Sequence, residues 1–221
     1  INLIDKISIT KIKINRDRIS FKGPFAKLVK KRNNTVYNLL KKLRELKLIS
    51  NYYSINITKN IPVFSGLGGG TSNAAFILKY LLKSKINNVL LDKVEKVIGT
   101  DFKIFFNNQG YMKNLRTIVD LKKKHRFCFV LIQPKIKCST KRIYSKVKNF
   151  SPKENLNKNM IKSRNMFLDY LQKSRNDLQF IVERKYPLIK KILTDIKNEK
   201  GCAFSRMTGS GSVCYGLFND K

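Results

Sequence analysis

Cysteine in metal-binding spacing, a long apolar run and an adequate supply of acidic residues are all missing from this sequence. Its four cysteines, Cys128, Cys138, Cys202 and Cys214, form no C-x-x-C pair, and a single histidine, His125, accompanies them. That pattern speaks against zinc ligation and against a disulfide framework. It fits thiols in a reducing compartment such as the cytoplasm, with Cys128 and Cys214 expected in the core because both sit in apolar, strand-like runs. No apolar run approaches the ~18 residues that a membrane span requires. Asp and Glu number 14 against 47 Lys and Arg, a formal charge of +33. So basic a chain attracts polyanions at low salt. Its lysines are spread along the whole length together with Asn and Ile, however, and no RNP1 run, nor a GxxG clamp in its proper setting, accompanies them, so specific nucleic-acid binding is not expected.

What the chain does have is enough apolar residue, 42% over 221 positions, for one large domain or two small ones. It also has one unusual stretch, Pro62-Val63-Phe64-Ser65-Gly66-Leu67-Gly68-Gly69-Gly70-Thr71-Ser72-Asn73-Ala74-Ala75. Glycine tolerates positive φ and lets a backbone approach a ligand closely, so the cluster predicts a loop whose N–H groups converge. Thr71, Ser72 or Asn73 can cap the apolar helix predicted over 74–82. A glycine loop feeding a helix N-terminus is a ready site for a phosphate. The loop is not a Walker A motif, because no Lys follows Gly70, and no acidic residue stands where a dinucleotide fingerprint needs one.

Around this loop, alternation predicts strands over 4–14 and 18–21, joined at Asn15-Arg16-Asp17 as a hairpin or meander edge. Asn33-Asn34-Thr35 caps a helix over 36–46, and a strand follows over 53–57. A further helix over 90–98 ends at Gly99-Thr100-Asp101. Asp101, set between a helix end and Ile104-Phe105-Phe106, reads either as a cap or as a partly desolvated proton acceptor. Residues 127–133 form the most apolar strand and open a second domain. Ser139-Thr140 leads into a short segment carrying Tyr144, and 146–164 reads as a loop with a weak helical part. Two helices follow Asn176-Asp177, good N-cap residues, with a break at Pro187. Last comes Met207-Thr208-Gly209-Ser210-Gly211-Ser212 before a strand, a second glycine–hydroxyl loop.

The first loop, the Gly-Thr-Asp segment and the final Met-Thr-Gly-Ser-Gly-Ser together resemble the motifs of the GHMP kinases, the small-molecule kinases that include galactokinase, homoserine kinase and mevalonate kinase. The long form Gly-Leu-Gly-Gly-Gly-Thr-Ser-Asn is most similar to the branch acting on diphosphocytidyl-methylerythritol in non-mevalonate isoprenoid synthesis. The resemblance implies an α+β fold in two domains, a ribosomal protein S5 domain 2-like unit over 1–125 and a ferredoxin-like unit over 126–221. It implies transfer of phosphate from ATP, with Mg²⁺, to a small-molecule hydroxyl. Asp101 is the implied catalytic carboxylate. Pro62, Ser65, Gly66, Leu67, Gly68, Gly69, Gly70, Thr71 and Ser72 hold the nucleotide, Ser72 reaches the metal, and Thr140, Tyr144, Thr208, Gly209, Ser210 and Gly211 line the substrate site. Neither a membrane nor a specific nucleic-acid partner is implied, and the protein is expected as a monomer or homodimer. Phe102 and Lys103 replace the family's Val and Pro. The family's Lys-bearing first strand has no counterpart, which implies a chain that starts past that strand and stops short of the family's end. Two other readings stay open: a basic RNA- or ribosome-associated protein on an S5-like fold, and another kinase of the family such as homoserine kinase.

Overall fold

The computed structural model describes residues 3–107, 109–114, 117–121, 125–152 and 163–218. By their contacts they group into two compact units, one of residues Ile1–Val63 and Gly68–Asp120, the other of Phe64–Leu67 and Leu121–Lys221.

In the first unit the strands are β1 (Lys6–Ile12), β2 (Arg18–Lys22) and β3 (Tyr52–Thr58), ordered β1-β3-β2, with β1 antiparallel and β2 parallel to β3. The hairpin expected from the alternation is therefore absent: β1 and β2 both pair with β3 and not with each other. Asp17 explains the separation. Its carboxylate accepts from Arg44 Nη1 and Nη2 at 2.6 and 2.9 Å and from the Tyr53 amide at 2.8 Å. The turn is thereby fastened to a helix and to the start of β3 rather than closed on itself. That helix is α1 (Thr35–Glu45), capped by the Asn34 side chain, which accepts from the Tyr37 amide at 3.0 Å. Its Val36, Leu39, Leu40 and Leu43, spaced three and four apart, are all buried against Ile55 and Ile57 of β3 and against Ala74, Ala75, Ile77 and Leu78 of the next helix. Each such Leu or Ile contributes roughly 1.5–3 kcal/mol on burial.

The next helix, α2 (Gly69–Leu82), begins five residues before the predicted Ala74. Thr71, Ser72 and Asn73 are inside it rather than ahead of it. Next is α3 (Asn88–Ile98), which Asn87 caps through the Leu90 amide at 2.9 Å. The hairpin β4 (Gly110–Asn114) and β5 (Thr117–Asp120) completes the unit.

The second unit is built on the antiparallel sheet β6-β8-β7, formed by β6 (Cys128–Ile132), β7 (Cys202–Met207) and β8 (Cys214–Phe218). Between β6 and β7 the chain makes α4 (Thr140–Tyr144), α5 (Arg164–Lys173), α6 (Gln179–Lys185) and α7 (Pro187–Asn198). Pro187 is the first residue of α7, where its missing N–H costs nothing, and Ile189, Leu193 and Ile196 make the buried face. β6 is apolar but not buried: it is the sheet edge, with Phe129, Val130 and Ile132 all exposed. Cys128 is exposed with it, contrary to its expected place in the core, whereas Cys214 is buried. Burial pushes the Cys214 thiol up to about 12, which keeps it protonated and inert. Cys138, Cys202 and Cys214 form no disulfide among the described residues. Of the loop predicted over 146–164, residues 153–162 lie outside the described residues. No helix among the described residues is long and apolar enough to cross a membrane.

Candidate active site

Helix α2 starts without a side-chain cap. Gly68 stands at the N-cap position in the left-handed region at φ 65°, and it accepts the Ser72 amide through its carbonyl at 2.8 Å. No acidic residue lies in the first turn and no side chain accepts there, so the opening amides of Gly69, Gly70 and Thr71 keep their positive end of the helix dipole available. These features fit a polyphosphate. A magnesium ion also fits in a limited way. The described residues contain no group of three His, Cys, Asp or Glu able to enclose a metal, but the half-buried Ser72 supplies one hydroxyl in the first turn. One protein oxygen beside phosphate and water oxygens is a normal magnesium environment.

The glycines have a cause other than room for a ligand. A Cβ on Gly66, where φ is +75°, would stand 2.2 Å from the Thr208 carbonyl oxygen. On Gly69 it would stand 2.8 Å from Ile61 Cγ2 and 2.9 Å from Lys59 Nζ. Protein atoms, not open space, therefore demand glycine at both places. Residues 64–67 are held by the turn that follows β7: Ser65 O accepts from Thr208 Oγ1 at 2.7 Å and from the Val213 amide at 3.2 Å.

Both ends of the glycine loop in the first unit converge on Asp5. Its Oδ1 accepts from the amides of Asn60 and Ile61 at 2.7 and 2.8 Å, and its Oδ2 accepts from Lys59 Nζ at 2.5 Å and Asn73 Nδ2 at 2.9 Å. The Asp5 and Lys59 side chains are 1% and 4% exposed, so this is a dry ion pair. Burial alone would push the Asp5 pKa up, but the bonds from Ile61, Lys59 and Asn73 outweigh it and hold the group below its ordinary 3.8. The unfolded chain therefore takes up a proton at higher pH than the folded one. This contribution to stability is complete above the ordinary value and is lost as pH falls through the folded value. In calorimetric melts from about pH 5 to about pH 3, the wild type should lose more stability than Asp5→Asn does. Equal slopes would show that Asp5 is not ionised in the fold.

Asp101 precedes a 3₁₀ turn, Phe102–Phe106, and caps nothing with its side chain. It is exposed, not desolvated: Phe102 takes the buried position, fully shielded, and leaves its neighbour facing outward. Lys103, standing where the resemblance would place a proline, is buried. Its Nζ bonds Asp92 and lies 3.2 Å from Glu95 Oε2, both on α3. The bond from Asp92 comes first among the causes that raise the Lys103 pKa. A charged anchor to the preceding helix thus does the fixing that a rigid φ would have done.

In the second unit the structure brings together the residues predicted to line the substrate site. Tyr144, Thr208 and Gly209 border one cavity of about 560 Å³, which Arg175 and Arg206 also line. Thr140 Oγ1 and Ser210 Oγ are hydrogen-bonded at 2.8 Å, and Gly211 donates its amide to Thr208 O at 2.7 Å. Asn176, read from the sequence as a cap, does more. Its Oδ1 accepts from the Leu178 amide, and its Nδ2 donates to Met207 O at 2.9 Å and Gly209 O at 2.8 Å, tying the turn to the start of α6. Pro62, Leu67 and Gly70 complete the first loop, with the Gly70 carbonyl accepting from Thr35 Oγ1 at 2.8 Å. Sequence reasoning missed Asp5, Lys59 and Arg206. The one available signal was a lone Asp beside an alternating strand.

Comparison with known proteins gives the family. Residues 34–99 match the GHMP kinases N terminal domain and residues 154–221 match the GHMP kinases C terminal domain. The 4-diphosphocytidyl-2-C-methyl-D-erythritol kinase of Pelagibacter ubique is 34% identical, with all of this chain and 79% of that protein covered. The enzyme of the same name from Thermodesulfovibrio yellowstonii is 32% identical, over 88% of this chain and 72% of its own. Among solved structures, a 4-(cytidine 5'-diphospho)-2C-methyl-D-erythritol kinase superposes with TM-score 0.65 at 21% identity, covering 97% of this chain and 77% of its own. The homoserine kinase of Cytophaga hutchinsonii gives TM-score 0.69 at 18% identity, over 98% and 77%. The backbone alone therefore does not separate these two enzymes, whereas the sequence does. The chain belongs to the GHMP kinases, in the branch of the 4-diphosphocytidyl-2-C-methyl-D-erythritol kinases.

Proposed function

We propose that the protein phosphorylates the 2-hydroxyl of 4-diphosphocytidyl-2-C-methyl-D-erythritol with ATP, a step of non-mevalonate isoprenoid synthesis. The observation that carries phosphoryl transfer is the uncapped, acid-free start of α2 directly after a glycine run. The substrate follows from the names of the relatives that match over 100% and 88% of the chain. When bound, ATP supplies the phosphoryl group and Mg²⁺ the charge that neutralises it. The amides of Gly69, Gly70 and Thr71 hold phosphate oxygens, and the Ser72 hydroxyl ligates the metal. Pro62, Ser65, Gly66, Leu67 and Gly68 shape the approach to that helix. Asp101 takes the proton of the attacking hydroxyl, for which an exposed carboxylate engaged in no cap is free. Thr140, Tyr144, Thr208, Gly209, Ser210 and Gly211 position the substrate. Catalysis in this scheme is positioning and charge compensation.

The finer parts of the reading are an S5 domain 2-like first domain over 1–125, a ferredoxin-like second domain over 126–221, a cytoplasmic location and a monomer or homodimer. An RNA-associated role finds no support in the relatives' names. The test is incubation of the chain with Mg-ATP and each of three alcohols: the diphosphocytidyl sugar alcohol, homoserine and mevalonate. Phosphorus NMR should show a new phosphate monoester from the first alone. Turnover of homoserine or mevalonate instead would move the chain to another branch of the family.

A further inference from the structure

One carboxylate holds both ends of the glycine loop, and nothing in the proposed chemistry uses it. Asp5 receives four donors from two directions: Lys59, Asn60 and Ile61 at the loop's entry, and Asn73 in the second turn of α2 at its exit. Lys59 is fixed by its backbone as well, donating its amide to Lys22 O at 2.6 Å and accepting the Phe25 amide at 3.3 Å. Its ammonium lies directly beneath Gly69, where any Cβ would meet it at 2.9 Å. At 4% exposure that ammonium does not reach a ligand. A cation beside a helix N-terminus opposes the dipole, and here the carboxylate cancels it. The charge at the mouth of α2 is then left to the amides.

We propose that Asp5 is a positioning residue for the nucleotide phosphates: it fixes the separation between Ile61 and the first turns of α2. The inference rests on the kinase reading for the identity of the ligand, though not for the geometry of the loop. Without Asp5 the amides of 69–71 lose the tie that Asn73 gives their helix to Asn60 and Ile61, while Asp101 and the second unit keep their own contacts.

Asp5→Asn and the double variant Asp5→Asn/Lys59→Met separate this role from simple stabilisation. The double variant removes the buried unpaired ammonium and so restores melting temperature. Mg-ATP affinity is read by calorimetry on the full chain, and amide hydrogen exchange over 69–71 and 74–82 is read without nucleotide. Asp5→Asn should weaken Mg-ATP at least about tenfold and speed exchange over 69–71, while 74–82 stays protected, and the double variant should recover stability but not affinity. In steady state, KM for ATP should rise with kcat within about threefold. Nucleotide affinity within about twofold of wild type, or affinity returning together with stability in the double variant, would overturn the proposal. If the wild type binds no ATP, the kinase reading fails by itself. The exchange pattern still decides the role of Asp5: unchanged rates over 69–71 in Asp5→Asn would then refute it.

Discussion

Alanine at position 66 should remove nucleotide binding and lower the melting temperature by several degrees, a larger effect than its single added methyl suggests. Gly66 has φ +75°, and its missing Cβ would fall 2.2 Å from Thr208 O, 2.7 Å from Thr208 Oγ1 and 2.9 Å from Thr208 C. The positive φ alone costs a non-glycine residue about 1–2 kcal/mol. The overlap is with backbone, so no side chain can turn aside to relieve it. Either residues 64–67 or the turn at 208–211 must move, and with them goes the bond from Thr208 Oγ1 to Ser65 O. Gly68→Ala is the graded control, because the Cβ there would meet only the ring edge of Phe105, at 2.8 Å, and a ring can rotate. Calorimetric titration with Mg-ATP should show affinity lost by at least about a hundredfold in Gly66→Ala and by less in Gly68→Ala. Wild-type affinity in Gly66→Ala would show that the loop's conformation is not what the nucleotide recognises.

Asp101→Asn should cut kcat by about 10²–10⁴ while leaving Mg-ATP affinity within about twofold. The substitution is a clean one on this structure. Asp101 is exposed and caps nothing, whereas the turn it begins is held by Phe102 in the core and by Lys103 on α3. Amide for carboxylate at such a place costs the fold little, so a loss of rate reads as loss of the proton acceptor. Single-turnover phosphorylation of the diphosphocytidyl substrate is the measurement, and near-normal turnover would take Asp101 out of the mechanism.

These two residues mark how far the sequence could be read. Helices such as α1 and α7 were legible because their apolar faces repeat at three and four residues, and the Asn34 cap of α1 is explicit. The glycine loop was legible as a loop that opens a helix, yet the reason for Gly66 and Gly69 was not. Thr208 lies far along the chain, and the buried Lys59 looks like any other of the many lysines. Pairing in the sheet failed for a similar cause: alternation marks a strand but says nothing of its neighbour, and Asp17 acts through Arg44 and Tyr53. β6 misled because an apolar run reads as interior, whereas its position at the sheet edge is set by strand order. Asp101 misled in the opposite sense, since apolar neighbours bury themselves and turn the carboxylate outward.

The strand order β1-β3-β2 has a consequence for the growing chain. β3 is the middle strand of this sheet but the last of the three to be synthesised, and it pairs with both others through Tyr52–Thr58. Until the ribosome has passed those residues, β1 and β2 have no partner in this sheet, and α1 has no Ile55 and Ile57 to lie on. The sheet then closes over sequence separations of roughly thirty to fifty residues, a loop-closure cost met before any ladder bond forms. Asp5 and Lys59 belong to that same closure, 54 positions apart. The ion pair beneath the glycine loop therefore forms only once β3 has been made, and the loop it anchors is translated immediately after.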